Sequence, residues 1–380
     1  MINPIFSTLL LAGCLLLKDY DVCAQQLPLT DNPLRTKIDS AVHKAAIAYL
    51  QDHPAHGIVI GAVNHGQRHF YRYGENQKGS RQLTPAGLYY NIGSVAKTFV
   101  ATILARAVVD QKAKLQDDIR KYLPEGYPDL EYAGVPIRLV DLANHTSGLP
   151  ASFHNYPAGA MNALKEKSLT EQAAFFATYN QDSLLHDLHQ LKPDTTPGTK
   201  FRYNSSAYML LTLILERIYQ KPYQDIVTSY LQKNLGMSQT KPVLDDVELK
   251  NGAQGYDRND NPVAYINLKG YFIGPTMNAT VRDMLLFIDA QLAGKDPAIR
   301  LTHRQTFGKP DGFGLGLGWM MNTEDGRRYL YHDGNTKIGF NTLCTIYPKQ
   351  QLGIIIIVND VTSQEKVGQL ENTIRKLIKD

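Results

Sequence analysis

Ser94-Val95-Ala96-Lys97 sets a hydroxyl and an amine three residues apart. A serine hydroxyl is a weak nucleophile and needs a base beside it. On a helix, positions i and i+3 share a face, so the lysine can reach the serine oxygen. The pattern is short, and roughly one copy is expected by chance in a chain of this length. The sequence holds three: Ser94/Lys97, Ser238/Lys241 and Ser363/Lys366. Ser363 opens the last expected helix, where serine is a preferred N-cap. Ser238 follows Gly236, and Lys241 abuts Pro242, so no helical turn sets that pair together.

Ser94 is in a different setting. It follows Gly93 and precedes Phe99, Val100, Ile103, Leu104, Ala107 and Val108, a helix with no polar face over its first turns. Such a helix is buried. Lys97 is the only charged residue between Ser94 and Arg106. A lysine buried there must find partners or lose its proton, and burial lowers its pKa from about 10.4 toward the range of a general base. The helix start also offers unpaired N–H groups and positive potential where an oxyanion would form. The plainer reading is that Ser94 caps the helix and Lys97 snorkels.

The elements that must hold this pair follow from periodicity. Residues 33–52 have apolar positions at helical spacing, and 57–74 reads as two strands around His65-Gly66. From 113 to about 275 the pattern is short helices and Pro/Gly loops. Strands return at GFGLGLGWMM (312–321), RRYLYHD (327–333), GFNTLCTIYP (339–348) and QLGIIIIVND (351–360), before a last helix from Ser363 to Ile378. The fold class expected is α/β. A mainly antiparallel sheet is built from both chain ends and flanked by helices, with a mostly helical inserted lobe. The division expected is 30–112 plus 275–380 for the sheet lobe and 113–274 for the helical lobe.

Composition excludes several classes. The 380 residues are 43% hydrophobic and 20% charged, an ordinary globular balance, and the net charge is +4 with no Lys/Arg run beyond two. A nucleic-acid footprint is therefore not expected as a partner surface. Residues 5–17 are apolar but too short to span a bilayer comfortably, and Val22-Cys23-Ala24 follows polar KDYD. Residues 1–24 read as a secretory signal peptide, although no Lys or Arg precedes the apolar run. The expected location is exported, periplasmic or secreted, with no transmembrane helix in the mature chain. Leu11-Ala12-Gly13-Cys14 gives a minority reading as a lipobox that anchors the chain through Cys14. Cys344, in an apolar strand-like run, reads as a buried inert thiol.

Six blocks then carry a resemblance: LYYNIGSVAKTF (88–99), KLQDDIRKYLPE (114–125), VDLANHTSGLP (140–150), PGTKFRYNSSAYMLL (197–211), GFGLGLGW (312–319) and YHDGNTKIGFNT (331–342). In this order and spacing the chain resembles the serine β-lactamase and penicillin-recognising peptidase family, in the branch of class C β-lactamases, D-alanyl-D-alanine carboxypeptidases and carboxylesterases. The resemblance implies a β-lactamase/transpeptidase-like fold. It makes Ser94 the acylated nucleophile, Lys97 its partner and Tyr203 the proton shuttle. It puts the oxyanion hole at the N–H groups of Ser94 and Asn335, and the third motif at His332-Asp333-Gly334. His145-Thr146-Ser147-Gly148 matches a marker block and reads as a structural loop. No metal or organic cofactor is implied, and the partner is a small-molecule or peptide substrate with a carbonyl acyl donor.

Two departures bear on the substrate. The amide expected two residues after Tyr203 has moved to Asn204, leaving Ser205 in its place. The third motif carries His332, expected to titrate near neutrality, where a permanent lysine charge is common, and Asp333 adds a negative charge nearby. Both favour a peptidase- or esterase-like serine hydrolase over a true class C-type β-lactamase. A rival of another class is a non-catalytic β-lactam or cell-wall ligand sensor.

Other signals are weak. His186 and His189 lack a third ligand motif and read as a solvated helix face. Asp257 to Asn261 begins like a calcium loop but has Pro262 at position six, so a turn between strands is expected. Gly314, Gly316 and Gly318 alternate on a strand and open no helix, so they are no dinucleotide fingerprint.

Overall fold

A computed structural model describes residues 28–52, 55–153, 159–267, 276–360 and 364–379. The leader with Cys14 and Cys23 lies outside these residues, as does Ser363.

Helix α1 (Lys37–Asp52) leads into β1 (Gly57–Asn64) and β2 (Gln67–Gly74). The chain returns to the same sheet as β3 (Phe307–Gly308), β4 (Gly314–Gly316), β5 (Trp319–Glu324), β6 (Arg327–Asn335), β7 (Asn341–Tyr347) and β8 (Leu352–Val358). The order is β3-β4-β5-β6-β7-β8-β1-β2, antiparallel throughout. The two chain ends meet where β8 pairs β1, from Ile58 opposite Val358 to Asn64 opposite Leu352. The sheet of the two chain ends is thus the one expected.

The isoleucine run of β8 explains the layering. Successive side chains of a strand point to opposite faces. Ile355 and Ile357 enter the core beneath α2 (Ala96–Val109) and the helix Val281–Ala293, while Ile354, Ile356 and Val358 pack with Val42, Ala46, Val367 and Ile374. The last four belong to α1 and the final helix, Gln364–Lys379. Both faces are therefore covered, and each buried isoleucine contributes about 2 kcal/mol of transfer free energy.

Three details differ from the sequence reading. The run 312–321 is two strands, because Leu317-Gly318 turns and Gly316 pairs Trp319. Gly318 has φ +73°, and a Cβ there would lie 2.6 Å from Ala101 Cβ and 3.0 Å from the Lys97 carbonyl oxygen. That turn is pressed onto the helix that carries Lys97. Helix α1 starts at Lys37 rather than 33, because Asp39 Oδ2 accepts from the Arg35 and Thr36 N–H groups and closes a separate turn. The edge strand β3, two residues long, was not foreseen.

Between the two halves of the sheet lie mainly helices, among them Leu139–Ala143, Gln181–Leu188, Ser205–Tyr219 and Tyr223–Leu235. Asp257 to Asn261 forms the turn between the short strands Gly255–Tyr256 and Pro262–Val263, as expected. Among the described residues no helix is long and apolar enough to cross a membrane.

Candidate active site

The nucleophile candidate sits on a single turn of 3-10 helix, Gly93–Val95, that runs into α2. Buried Asn91 fixes its entry by accepting from the Gly93 N–H at 3.0 Å. Gly93 has φ +53°, and a Cβ there would meet the Asn335 nitrogen at 3.0 Å. A Cβ on Gly334 would meet the Ile92 carbonyl oxygen at 2.3 Å and the Ser94 nitrogen at 3.1 Å. Two glycines thus let the end of β6 lie against the start of α2. The amides of Ser94 and Asn335 come into one neighbourhood. Gln364 holds the same strand end by donating to the Gly334 carbonyl at 2.7 Å.

Lys97 is 3% exposed, and its Nζ donates to Ser94 Oγ at 3.0 Å. It also lies 5.2 Å from the Tyr203 ring centroid and 5.8 Å from that of Tyr208. Its neighbours are thus a hydroxyl and two π faces, which stabilise an ammonium less than a carboxylate would. Ser94 makes no cap bond to this helix start. The capping reading of Ser94 is therefore set aside.

Tyr203 is 39% exposed and precedes the helix Ser205–Tyr219. The residue after it does the anchoring. Asn204 Oδ1 accepts from the Ala207 N–H at 3.0 Å as an N-cap, and Nδ2 donates to the carbonyls of Leu149 and Pro150 at 3.2 and 2.8 Å. The displaced amide is thus committed to the helix cap and the 149–150 loop. Ser205 is the first helical residue and is half-buried.

The marker block does more than close a loop. His145 Nδ1 lies 3.0 Å from the Asn204 backbone nitrogen and 3.1 Å from the Asn204 carbonyl oxygen, so this one residue holds the ring by its main chain. Burial holds this imidazole well below its ordinary pKa, and nearby Lys97 pushes the same way. The ring lies 4.4 Å from that of Tyr203 and 5.0 Å from that of Tyr208. His145 thus packs against Tyr203 and binds the main chain of the residue after it. No spacing in the sequence signals that contact.

His332 corrects an expectation. It is 2% exposed, and its Nδ1–H donates to the Asp333 carbonyl at 2.7 Å. Burial lowers its pKa to about 4, against the attraction of Asp333 and with the repulsion of Lys97. It does not titrate near neutrality, because an imidazolium in this dry position has no water to replace. Its ring is 6.4 Å from that of Tyr203. Asp333, one residue on in a regular ladder, points to the other face of the strand. Burial raises the phenol pKa of Tyr331, which shares that face, and Tyr329 and Asp333 add to it. Ser94, Lys97, Tyr203, His332 and Gly334 are brought together with the Asn335 amide, whereas the Asp333 side chain is not.

Acid stability should report His332. The folded pKa, about 4, lies below the ordinary 6.5, so the unfolded chain takes up a proton first. The stabilisation is complete above pH 6.5 and is lost as pH falls toward 4, on the order of 3 kcal/mol at most. His332→Asn should flatten that part of a urea-denaturation series between pH 7 and 4. Parallel series for the two proteins would refute the shift. His303, also lowered to about 4 by burial, contributes the same sign in both proteins.

The remaining candidates are ordinary. His189 stacks on Tyr127 with centroids 4.1 Å apart. Among the described residues no group of three His, Cys, Asp or Glu could hold a metal ion. Cys344 is fully buried, and burial pushes its thiol pKa up, as an inert core thiol requires.

A serine in contact with a buried lysine at a helix start, a tyrosine ring beside that lysine and a strand end packed against the serine's backbone are the parts of a serine hydrolase. The family model described as Beta-lactamase matches residues 42–377, and the chain belongs to the beta-lactamase family. A beta-lactamase of Lysobacter lactamgenus is 28% identical over 265 residues, 68% of this chain and 62% of that protein, so the chain spans less than two thirds of it. The D-alanyl-D-alanine-carboxypeptidase/endopeptidase AmpH of Escherichia coli K12 is 26% identical over 324 residues, covering 80% of this chain and 79% of its own. A solved beta-lactamase/D-alanine carboxypeptidase from Pseudomonas syringae superposes with a TM-score of 0.73 at 23% identity, over 90% of this chain and 99% of that one. A class C beta-lactamase gives 0.74 at 20%, over 90% and 96%. The fold is β-lactamase/transpeptidase-like.

Proposed function

We propose that the protein hydrolyses an amide or ester through an acyl-enzyme on Ser94, with a peptidase- or esterase-like substrate range. The observation that carries this is the 3.0 Å contact between Ser94 Oγ and an almost wholly buried lysine amine. Ser94 Oγ attacks the carbonyl carbon, and its proton passes through Lys97 and Tyr203 to the leaving group. The N–H groups of Ser94 and Asn335 hold the oxyanion, worth about 3 kcal/mol per donor in comparable sites. Water then takes the place of the leaving group and frees the acid.

The substrate reading rests on two features. Neutral His332 offers no charge to a substrate carboxylate, and the Asn204 amide is engaged elsewhere. Asp333 does not enter the argument, since it faces away. The apolar leader followed by a small-residue site supports action outside the cytoplasm, and Cys14 as an anchor remains the lesser reading.

The test is the intact mass of residues 25–380 after incubation with a penicillin, with the drug's absorbance followed in parallel. A slowly released adduct on Ser94 is expected. Consumption of a chromogenic cephalosporin with kcat/KM of about 10⁷ per molar per second would replace this reading with a proficient β-lactamase, which the Lysobacter relative's name favours. An adduct that is never released would favour the sensor.

A further inference from the structure

A second cleft, of about 830 Å³, lies between the helical segments and the edge strand β3. Its volume suits a drug-sized ligand. Ser94, Lys97, Tyr203 and His332 are not among its lining residues. Three cations line it, Lys114, Arg138 and Arg304, against a single carboxylate, Asp141. Asp141 is 1% exposed and already paired. Arg138 reaches it through Nε at 3.0 Å and Nη2 at 3.2 Å, and also donates to Gln116 Oε1 at 2.9 Å. Lys114 and Arg304 are exposed, and among the described residues their side chains form no ion pair. The cleft therefore has an uncompensated positive charge beside amide and hydroxyl groups that can complete hydrogen bonds.

The floor is rigid. Gly198 has φ +85°, and a Cβ there would lie 2.6 Å from Arg138 Nη2, so only glycine leaves the guanidinium in place. Its N–H donates to the Thr146 carbonyl at 2.8 Å, and the Arg202 N–H donates to the His145 carbonyl at 2.8 Å. Asn144, Thr146 and Gly198 of these paired segments line the cleft, while Tyr203 lies further along, with its ring 4.4 Å from that of His145. A preorganised wall lowers the ordering cost of binding.

We infer that this cleft is a second ligand site, selective for a small, multiply charged anion bearing carboxylates or phosphates. Arg304 and Lys114 supply charge-assisted hydrogen bonds to it, and Arg138 presents its remaining N–H groups. None of Ser94, Lys97, Tyr203 and His332 lines it.

Calorimetric titration of the full chain with citrate and with inorganic pyrophosphate, at low salt, tests this. Saturable one-to-one binding of at least one probe is expected, and the preferred probe separates carboxylate from phosphate recognition. Arg304→Gln should weaken it about tenfold and Lys114→Gln by a smaller factor, as the loss of a charge-assisted bond implies. Lys44→Gln, an exposed change on α1, should leave it unaltered. No saturable binding of either probe up to about 1 mM would overturn the proposal, a Kd weaker than that being below about 4 kcal/mol. Undiminished binding by both cleft variants, or an equal loss in Lys44→Gln, would overturn it as well.

Discussion

Ser94→Ala is expected to lower kcat/KM by on the order of 10⁴ or more on any ester or amide the enzyme turns over, as loss of a catalytic nucleophile does. The fold should be unchanged. The substitution removes one oxygen, and that oxygen makes no cap bond to the helix start. The backbone N–H at position 94 remains, so substrate can still be bound and polarised. Lys97 loses its 3.0 Å acceptor but keeps the Tyr203 and Tyr208 rings. Loss of the penicillin adduct together with loss of turnover, at an unshifted melting temperature, is the result expected. Retained hydrolysis would put the nucleophile elsewhere and remove the basis of the proposed function.

How far this was legible from the residues alone differs by level. The sheet of two chain ends could be read because a run such as Gly353-Ile354-Ile355-Ile356-Ile357 has no reading except a strand covered on both sides. Ser94 could be chosen over Ser238 because burial and helix position are written in the apolar pattern of Phe99 to Val108. The register of single side chains could not. Asp333 turns away from the site while His332 turns in, and one residue of slip would have exchanged them. The protonation of His332 depends on how much protein covers it, which no local pattern records. The Asn204 amide was read as displaced from the site, and the structure shows what it does instead, by joining 149–150 to the next helix. Glycine 318 looked like a strand residue because alternation cannot reveal a two-residue turn pressed onto a helix.

Lys97→Met separates the catalytic from the structural account of the lysine most sharply. The two side chains are similar in length, and methionine fills irregular apolar space well. If Lys97 merely snorkelled, its amine would reach water, yet the residue is 3% exposed. A polar amine this well buried, with a hydroxyl and two aromatic faces beside it, adds little to the fold that an apolar chain of the same length would not. Replacing it by an apolar chain should therefore leave stability unchanged or raise it by about 1 kcal/mol. The same change removes the group that can take the Ser94 proton, so kcat should fall by on the order of 10³. KM should move little, because the residue is 3% exposed and offers substrate almost no surface. Activity lost at equal or greater stability is the signature of a residue kept for chemistry at the expense of the fold. A variant that keeps its kcat, or one that loses its fold along with it, would mean that Lys97 holds the helix start in place and that the proton leaves Ser94 by another route.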